Sequence, residues 1–177
     1  DLIFSSEEKI INLSGIIGGQ DTACNNQTKN VLVECAYFKP ESIIGKAVKY
    51  NVQSDASHKF ERGTDPRCHH EVLRRFIKII EEHSKIVKLE LYTYAGPDYK
   101  GVDLEFDLKK INNILGLNVS EDKYKDALIK LGFNVNASIT VPSYRSDIQH
   151  HNDLAEELAR VIGYDNIPIS SLNLNRY

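Results

Sequence analysis

The segment AGPDYKG, Ala95 to Gly101, sets the first limit on what this chain can fold into. Gly96, Pro97 and Gly101 punctuate it, and the residue pattern changes afterwards, so it reads as a domain boundary. The 177 residues, 41% of them hydrophobic, are enough for one sizeable core or two small ones, and a break at this point favours two. A formal net charge of -3 gives no overall electrostatic footprint for nucleic acid, so any RNA contact has to be local or assisted by other parts. Cys24, Cys35 and Cys68 are odd in number and form no CxxC, which points away from a disulfide scaffold or structural zinc and towards a reducing, cytoplasmic setting. No apolar run reaches the length of a membrane span and no signal peptide opens the chain, so a soluble protein is expected. The chain begins at Asp1 and contains no methionine, as expected of a piece of a longer polypeptide.

Before the boundary, Ile10 to Leu13 reads as a strand running into the glycine-rich turn SGIIGGQDT. NVLVECAYF, Asn30 to Phe38, has the β-branched and aromatic content of a buried strand. HHEVLRRFIKIIEEHS, residues 69 to 84, predicts a helix with Val72, Phe76, Ile79 and Ile80 on one stripe, and IVKLELYTY predicts another strand. After the boundary, GVDLEFD alternates as a strand and Asp107 caps a short helix that Gly116 ends. Ser120 caps a second helix carrying Tyr124, Ala127, Leu128 and Leu131. Phe133, Val135, Ala137, Ile139 and Val141 recur at period two, as one half-buried strand stopped by Pro142, and Asn152 starts a last helix closed by Gly163. The expected fold class is α+β, a β-rich first domain followed by a small winged-helix-like α/β domain.

Three features carry chemistry. Glu34 projects among apolar neighbours of its strand, where a carboxylate is costly unless paired, hydrogen-bonded or neutralised. A salt bridge to Lys29 or Arg62, or an exposed edge strand, would also account for it. SDASHKFERG, Ser54 to Gly63, sets charged residues around Ala56 and is either a solvated turn or a pocket wall. In SYRSDIQHHNDLAEELAR, Asp153, Glu156 and Glu157 fall at i, i+3 and i+4 near a helix start, with Asp147 six residues earlier. Four converging carboxylates suit magnesium, a hard cation, although acids in a first helical turn are favoured by the helix dipole whatever the function. GIIGG alone signals a turn, and the six histidines lack the i, i+4 pairing of a zinc helix.

Taken in order, GIIGGQDT, NVLVECAYF, SDASHKFERGTDP and VPSYRSDI with DLAEELARVIGYDNIP resemble the beta subunit of bacterial phenylalanyl-tRNA synthetase across nearly the whole chain. The resemblance implies that residues 1–94 are the later part of an editing domain, 98–168 the small domain that follows it, and 169–177 a linker. It implies an alpha2beta2 assembly whose alpha subunit charges tRNA(Phe) using ATP, and a beta subunit that hydrolyses tyrosine wrongly attached to that tRNA. The residues matching the editing pocket are Glu34, Ser54, Ala56, Gly18 and Gly19, with Ser54 standing where many members carry threonine. Those matching a magnesium site shared with the alpha subunit are Asp147, Asp153, Glu156 and Glu157. The family's pocket also draws on a histidine and an arginine upstream of these residues, so a positioned water is the expected attacker and no catalytic triad is assigned.

The resemblance agrees with elementary energetics. A pocket built for phenylalanine rejects an added hydroxyl by only about a hundredfold, so a second site is needed. An ionised Glu34 would accept a charge-assisted bond from a phenol, whereas phenylalanine would desolvate it without return, a penalty of roughly 1 to 3 kcal/mol. A non-catalytic structural module for the alpha subunit and tRNA is the alternative. An independent winged-helix nucleic-acid binder is disfavoured by the acidic helix from Asn152 to Ile162.

Overall fold

The computed structural model describes residues 1–94, 96 and 98–169. Part of the punctuated boundary and most of the expected linker thus lie outside the described residues. The chain divides into two compact units, Asp1–Pro97 and Asp98–Tyr177, of mixed α+β composition with a three-stranded antiparallel sheet in each.

The first unit opens with a hairpin of β1 (Ile3–Ser6) and β2 (Lys9–Leu13), to which β3 (Ile17–Gly18) adds. Gly15, in the turn between β2 and β3, has φ +70, and a Cβ there would lie 2.9 Å from Ile43 Cδ1 and 3.0 Å from Phe38 Cδ2. Both backbone and space therefore require glycine. Four helices follow, α1 (Pro40–Ile43), α2 (Lys46–Lys49), α3 (Asp55–Glu61) and α4 (His69–His83). A small core of Ile16, Phe38 and Ile43 joins the sheet to the helices, with Leu13, Val52 and Phe60 packed around it. Phe38 and Phe60 meet edge to face at 5.0 Å.

Two expected strands are not formed. NVLVECAYF and IVKLELYTY run without a ladder, and Val31, Leu32, Val87, Leu89 and Leu91 are exposed. A strand is defined by its hydrogen-bond partner, and among the described residues neither segment has one. Helix α4 forms as expected, but its Val72, Phe76 and Ile79 stripe is exposed and the helix has no buried residue. The first unit is accordingly less β-rich than its apolar pattern implies.

The second unit runs β4 (Asp103–Glu105), α5 (Leu108–Leu115), α6 (Glu121–Lys130), β5 (Asn134–Val135), β6 (Ser138–Thr140) and α7 (His151–Ile162), with sheet order β4-β6-β5. Asp107 accepts a bond from the Lys110 N–H at 2.9 Å, capping α5, and Gly116 closes it. The period-two run from Phe133 is a hairpin rather than one strand. Val135 pairs with Ile139, and Asn136 and Ala137 turn the chain. Asn136 donates to the Asn134 side chain at 3.0 Å, local polar bonding that competes with a continuous ladder.

Ile111, Leu128, Ile139, Ile148, Leu154 and Leu158 form the fully enclosed centre of this unit. Each such side chain stabilises it by about 1.5 to 3 kcal/mol. Tyr124 is buried with them, beside Phe106, and its hydroxyl has no partner among the described residues. Burial, with the nearby Asp107 charge, pushes that phenol up to about 12. An unpaired buried hydroxyl costs free energy, so Tyr124→Phe should leave stability unchanged or raise it by about 1 kcal/mol, as measured by urea denaturation.

Candidate functional site

In the first unit, a cavity of about 610 Å³ opens between the β2–β3 turn, the extended segment carrying Glu34, and helices α3 and α4. Gly18, Glu34 and Ala56 line it together. Gly18 pairs with Asn12 across β2 and β3, and a Cβ placed on it would meet nothing within 4 Å. Ala56 lies in the first turn of α3, so the stretch SDASHKFERG is a capped helix that presents a methyl group to the cavity.

Ser54 and Gly19 support this site rather than line it. The Ser54 hydroxyl accepts the Ser57 N–H at 3.0 Å while Ser57 Oγ lies 3.2 Å from the Ser54 N–H, a reciprocal cap on α3. The same hydroxyl donates to the Ile16 carbonyl at 2.5 Å, tying α3 to the β2–β3 turn. Gly19 donates its N–H to the Ile11 carbonyl at 2.8 Å, and a Cβ there would lie 2.7 Å from that oxygen. Only glycine lets the two backbones approach so closely.

Glu34 as a residue is exposed, not enclosed in a strand. Its carboxyl nevertheless sits at the cavity wall, where desolvation raises its pKa and a hydrogen bond from Asn12 partly offsets the rise. Asn12 Nδ2 donates to Glu34 Oε2 at 3.1 Å. Arg62 turns instead to its own helix, donating to the His58 carbonyl at 2.9 Å. The sequence reading missed Asn12 and Thr64, both at the cavity. Asn12 Oδ1 and Thr64 Oγ1 are buried acceptors without partners among the described residues. A lone asparagine among the apolar residues Ile10, Ile11 and Leu13 of β2 was the available signal.

The second unit gathers part of the expected carboxylate set. Arg145 donates to both oxygens of Asp147, at 2.8 and 2.6 Å, and to Glu157 Oε1 at 2.7 Å. Glu157, whose side chain is only 4% exposed, also receives Arg160 at 2.9 Å, and Arg160 reaches Glu156 at 3.1 Å. Asp153 accepts the N–H groups of Gln149 and His150, each at 2.8 Å, at the start of α7. The oxygen donors have the chemistry that magnesium prefers, but guanidinium groups or backbone N–H groups already bond both oxygens of Asp147 and one oxygen each of Asp153, Glu156 and Glu157. Among the described residues no group of three or more His, Cys, Asp or Glu could hold a metal ion. As arranged, the four do not fit magnesium: Arg145 joins Asp147 to Glu157, while Glu156 pairs with Arg160 and Asp153 caps α7.

Hydrogen bonds from Arg145 hold the Asp147 and Glu157 carboxyls below their ordinary values of 3.8 and 4.5. Depressed folded-state values mean that this stability is full above about pH 4.5 and is lost as the pH falls through the folded values. Acid denaturation should therefore include a stability loss below about pH 4.5 that is smaller in Arg145→Ala. At neutral pH the same variant should cost about 3 kcal/mol, because it leaves the buried Glu157 short of a partner.

Comparison with known proteins places two domain families on the chain. Residues 1–85 match the B3/4 domain and residues 104–164 the tRNA synthetase B5 domain. Proteins named phenylalanine--tRNA ligase beta subunit match 94% of the chain, at 36% identity in Methylococcus capsulatus and Dickeya dadantii and 34% in Francisella tularensis. The chain spans 22% of the length of these relatives. No helix among the described residues is long and apolar enough to cross a membrane.

Proposed function

The chain fits a fragment of the phenylalanine--tRNA ligase beta subunit, and on that premise we propose that its first unit is the later part of an editing domain whose cavity receives the aminoacyl end of misacylated tRNA(Phe). The observation that carries this reading is the grouping of Gly18, Ala56 and Glu34 around one cavity of about 610 Å³. That volume falls within the range of about 300 to 1,000 Å³ usual for small-ligand pockets. Gly18 and Ala56 leave room for a ring and an ester, and Glu34 supplies an acceptor for tyrosine's hydroxyl. Ser54 and Gly19 belong to the site through the backbone they hold in place.

Specificity follows from desolvation. A phenol donates to the Glu34 carboxylate and compensates it for lost water, while a phenyl ring removes the water and returns nothing. The attacking group is a water positioned against the ester, and these residues contribute recognition rather than a nucleophile. The second unit, residues 98–168, serves in this reading as the small domain that meets the alpha subunit, where ATP-dependent charging takes place. Magnesium would require the arginines to release carboxylate oxygens or a partner to bring further donors.

A second reading, a non-catalytic interaction module, draws support from the exposed Val72, Phe76 and Ile79 face of α4. Deacylation separates the two. In a full-length subunit carrying this segment, hydrolysis of tyrosyl-tRNA(Phe) should exceed that of phenylalanyl-tRNA(Phe), and Glu34→Ala should cut the preference by about tenfold or more. A preference untouched by the substitution would exclude Glu34 as the specificity group. Absence of hydrolysis by a folded, assembled subunit would favour the interaction module.

A further inference from the structure

We propose that Asn12 is a second specificity determinant of this cavity, a positioning residue that aims Glu34 and keeps it an acceptor for a phenolic hydroxyl; this rests on the editing reading above. Asn12 stands on β2 directly opposite Gly18 of β3, at the cavity position that lacks a side chain. Its amide donates one N–H to Glu34 Oε2 at 3.1 Å. A primary amide carries two such hydrogens, and a phenolic hydroxyl both donates and accepts. A tyrosine ring entering beside Gly18 therefore finds complementary groups on two residues. Its hydrogen goes to the Glu34 carboxylate, and its oxygen can take the second Asn12 N–H. Phenylalanine satisfies neither.

The assignment of the amide is fixed by charge, because turning its oxygen towards Glu34 would set two acceptors against each other. Asn12 Oδ1 is left buried with no partner among the described residues. A group chosen for the fold alone gains nothing from such an orphan, so the amide's value lies in what its nitrogen does. The other ionisable groups at the cavity are Lys59, Asp65 and His69, with the thiols of Cys35 and Cys68. Glu34's hydrogen-bond partner among the described residues is Asn12. That bond favours the ionised carboxyl against the desolvation that opposes it.

The test is the pH profile of the tyrosyl-to-phenylalanyl deacylation ratio in the full-length subunit, for wild type, Asn12→Ala, Asn12→Asp and Glu34→Ala. Taking the ratio removes the ester's own sensitivity to base. Loss of the Asn12 bond raises the Glu34 pKa, so the acid limb of the ratio should move to higher pH in Asn12→Ala. It should move further in Asn12→Asp, where two carboxyls share the position at nearly unchanged volume. The ratio on the plateau should fall by about tenfold in Asn12→Ala. An unmoved limb and an unchanged plateau in both Asn12 variants, with Glu34→Ala abolishing the preference, would overturn the role of Asn12 alone. A Glu34→Ala variant that keeps the preference would overturn Glu34 as the specificity group on which the role of Asn12 rests, and absence of hydrolysis by a folded, assembled subunit would overturn the editing assignment beneath both. Should Asn12→Ala fail to fold, the nearly isosteric Asn12→Asp decides the question by the same limb.

Discussion

The candidate site depends on one hydroxyl that belongs to two structures at once. Ser54 caps α3 by accepting the Ser57 N–H and, through its own hydrogen, holds the carbonyl of Ile16. The helix start is thereby fixed to the turn that leads into Gly18, and Ala56, two residues along, is set on the same cavity. Removing a cap of this kind costs about 1 kcal/mol of helix stability, but its larger consequence is geometric. Ala56 and Gly18 come from segments 38 residues apart in sequence, joined at the point where the serine bridges them. Serine and threonine both supply that hydroxyl, so the missing methyl matters less than its place in the cap.

The same economy governs Glu34 and the carboxylate cluster of the second unit, with opposite results. Glu34 lies where water is partly removed and, among the described residues, its hydrogen-bond partner is the neutral Asn12, so its carboxyl pKa is raised and the group is open to a donor from outside. Asp147 and Glu157 are bonded to Arg145, so their carboxyl pKa values are lowered and their charge is already compensated. A group still able to gain by binding is the better candidate for recognition; one already compensated is the better candidate for structure. By that criterion the better candidate for recognition lies in the first unit, while the start of α7 in the second unit is an ion-paired joint.

Capping residues made the helices legible. Asp107, Gly116 and Gly163 stand at helix ends in the second unit, and α7 begins at His151, one residue before the expected start, whereas Ser54 caps a helix where a turn or a pocket wall was expected. Local bonds decide such termini, and local sequence encodes them. Two strands were legible from apolar residues bounded by turns, β2 in Ile10 to Leu13 and β4 in GVDLEFD, while β1 was not. The apolar alternation of NVLVECAYF and IVKLELYTY marks faces suited to burial, but pairing is a long-range event that no single segment specifies. The hairpin at Asn136 was hidden inside a regular period, because Ala137 kept the pattern while the chain turned. Of the pocket, Glu34, Ala56 and Gly18 could be named from the resemblance. Asn12 could not, since its role depends on a cross-strand register and on a hydrogen bond across 22 residues.

The central claim is that Glu34 recognises a phenol by being compensated for lost water. Its most direct test is carbon-13 NMR titration of the Glu34 carboxyl with hydrolysis-resistant tyrosinamide and phenylalaninamide bound in turn. A donor to the charged form lowers a carboxyl pKa, whereas desolvation without a donor raises it. Glu34 should show a lower pKa with tyrosinamide than with phenylalaninamide. Equal values with the two ligands, both bound at the cavity, would contradict it.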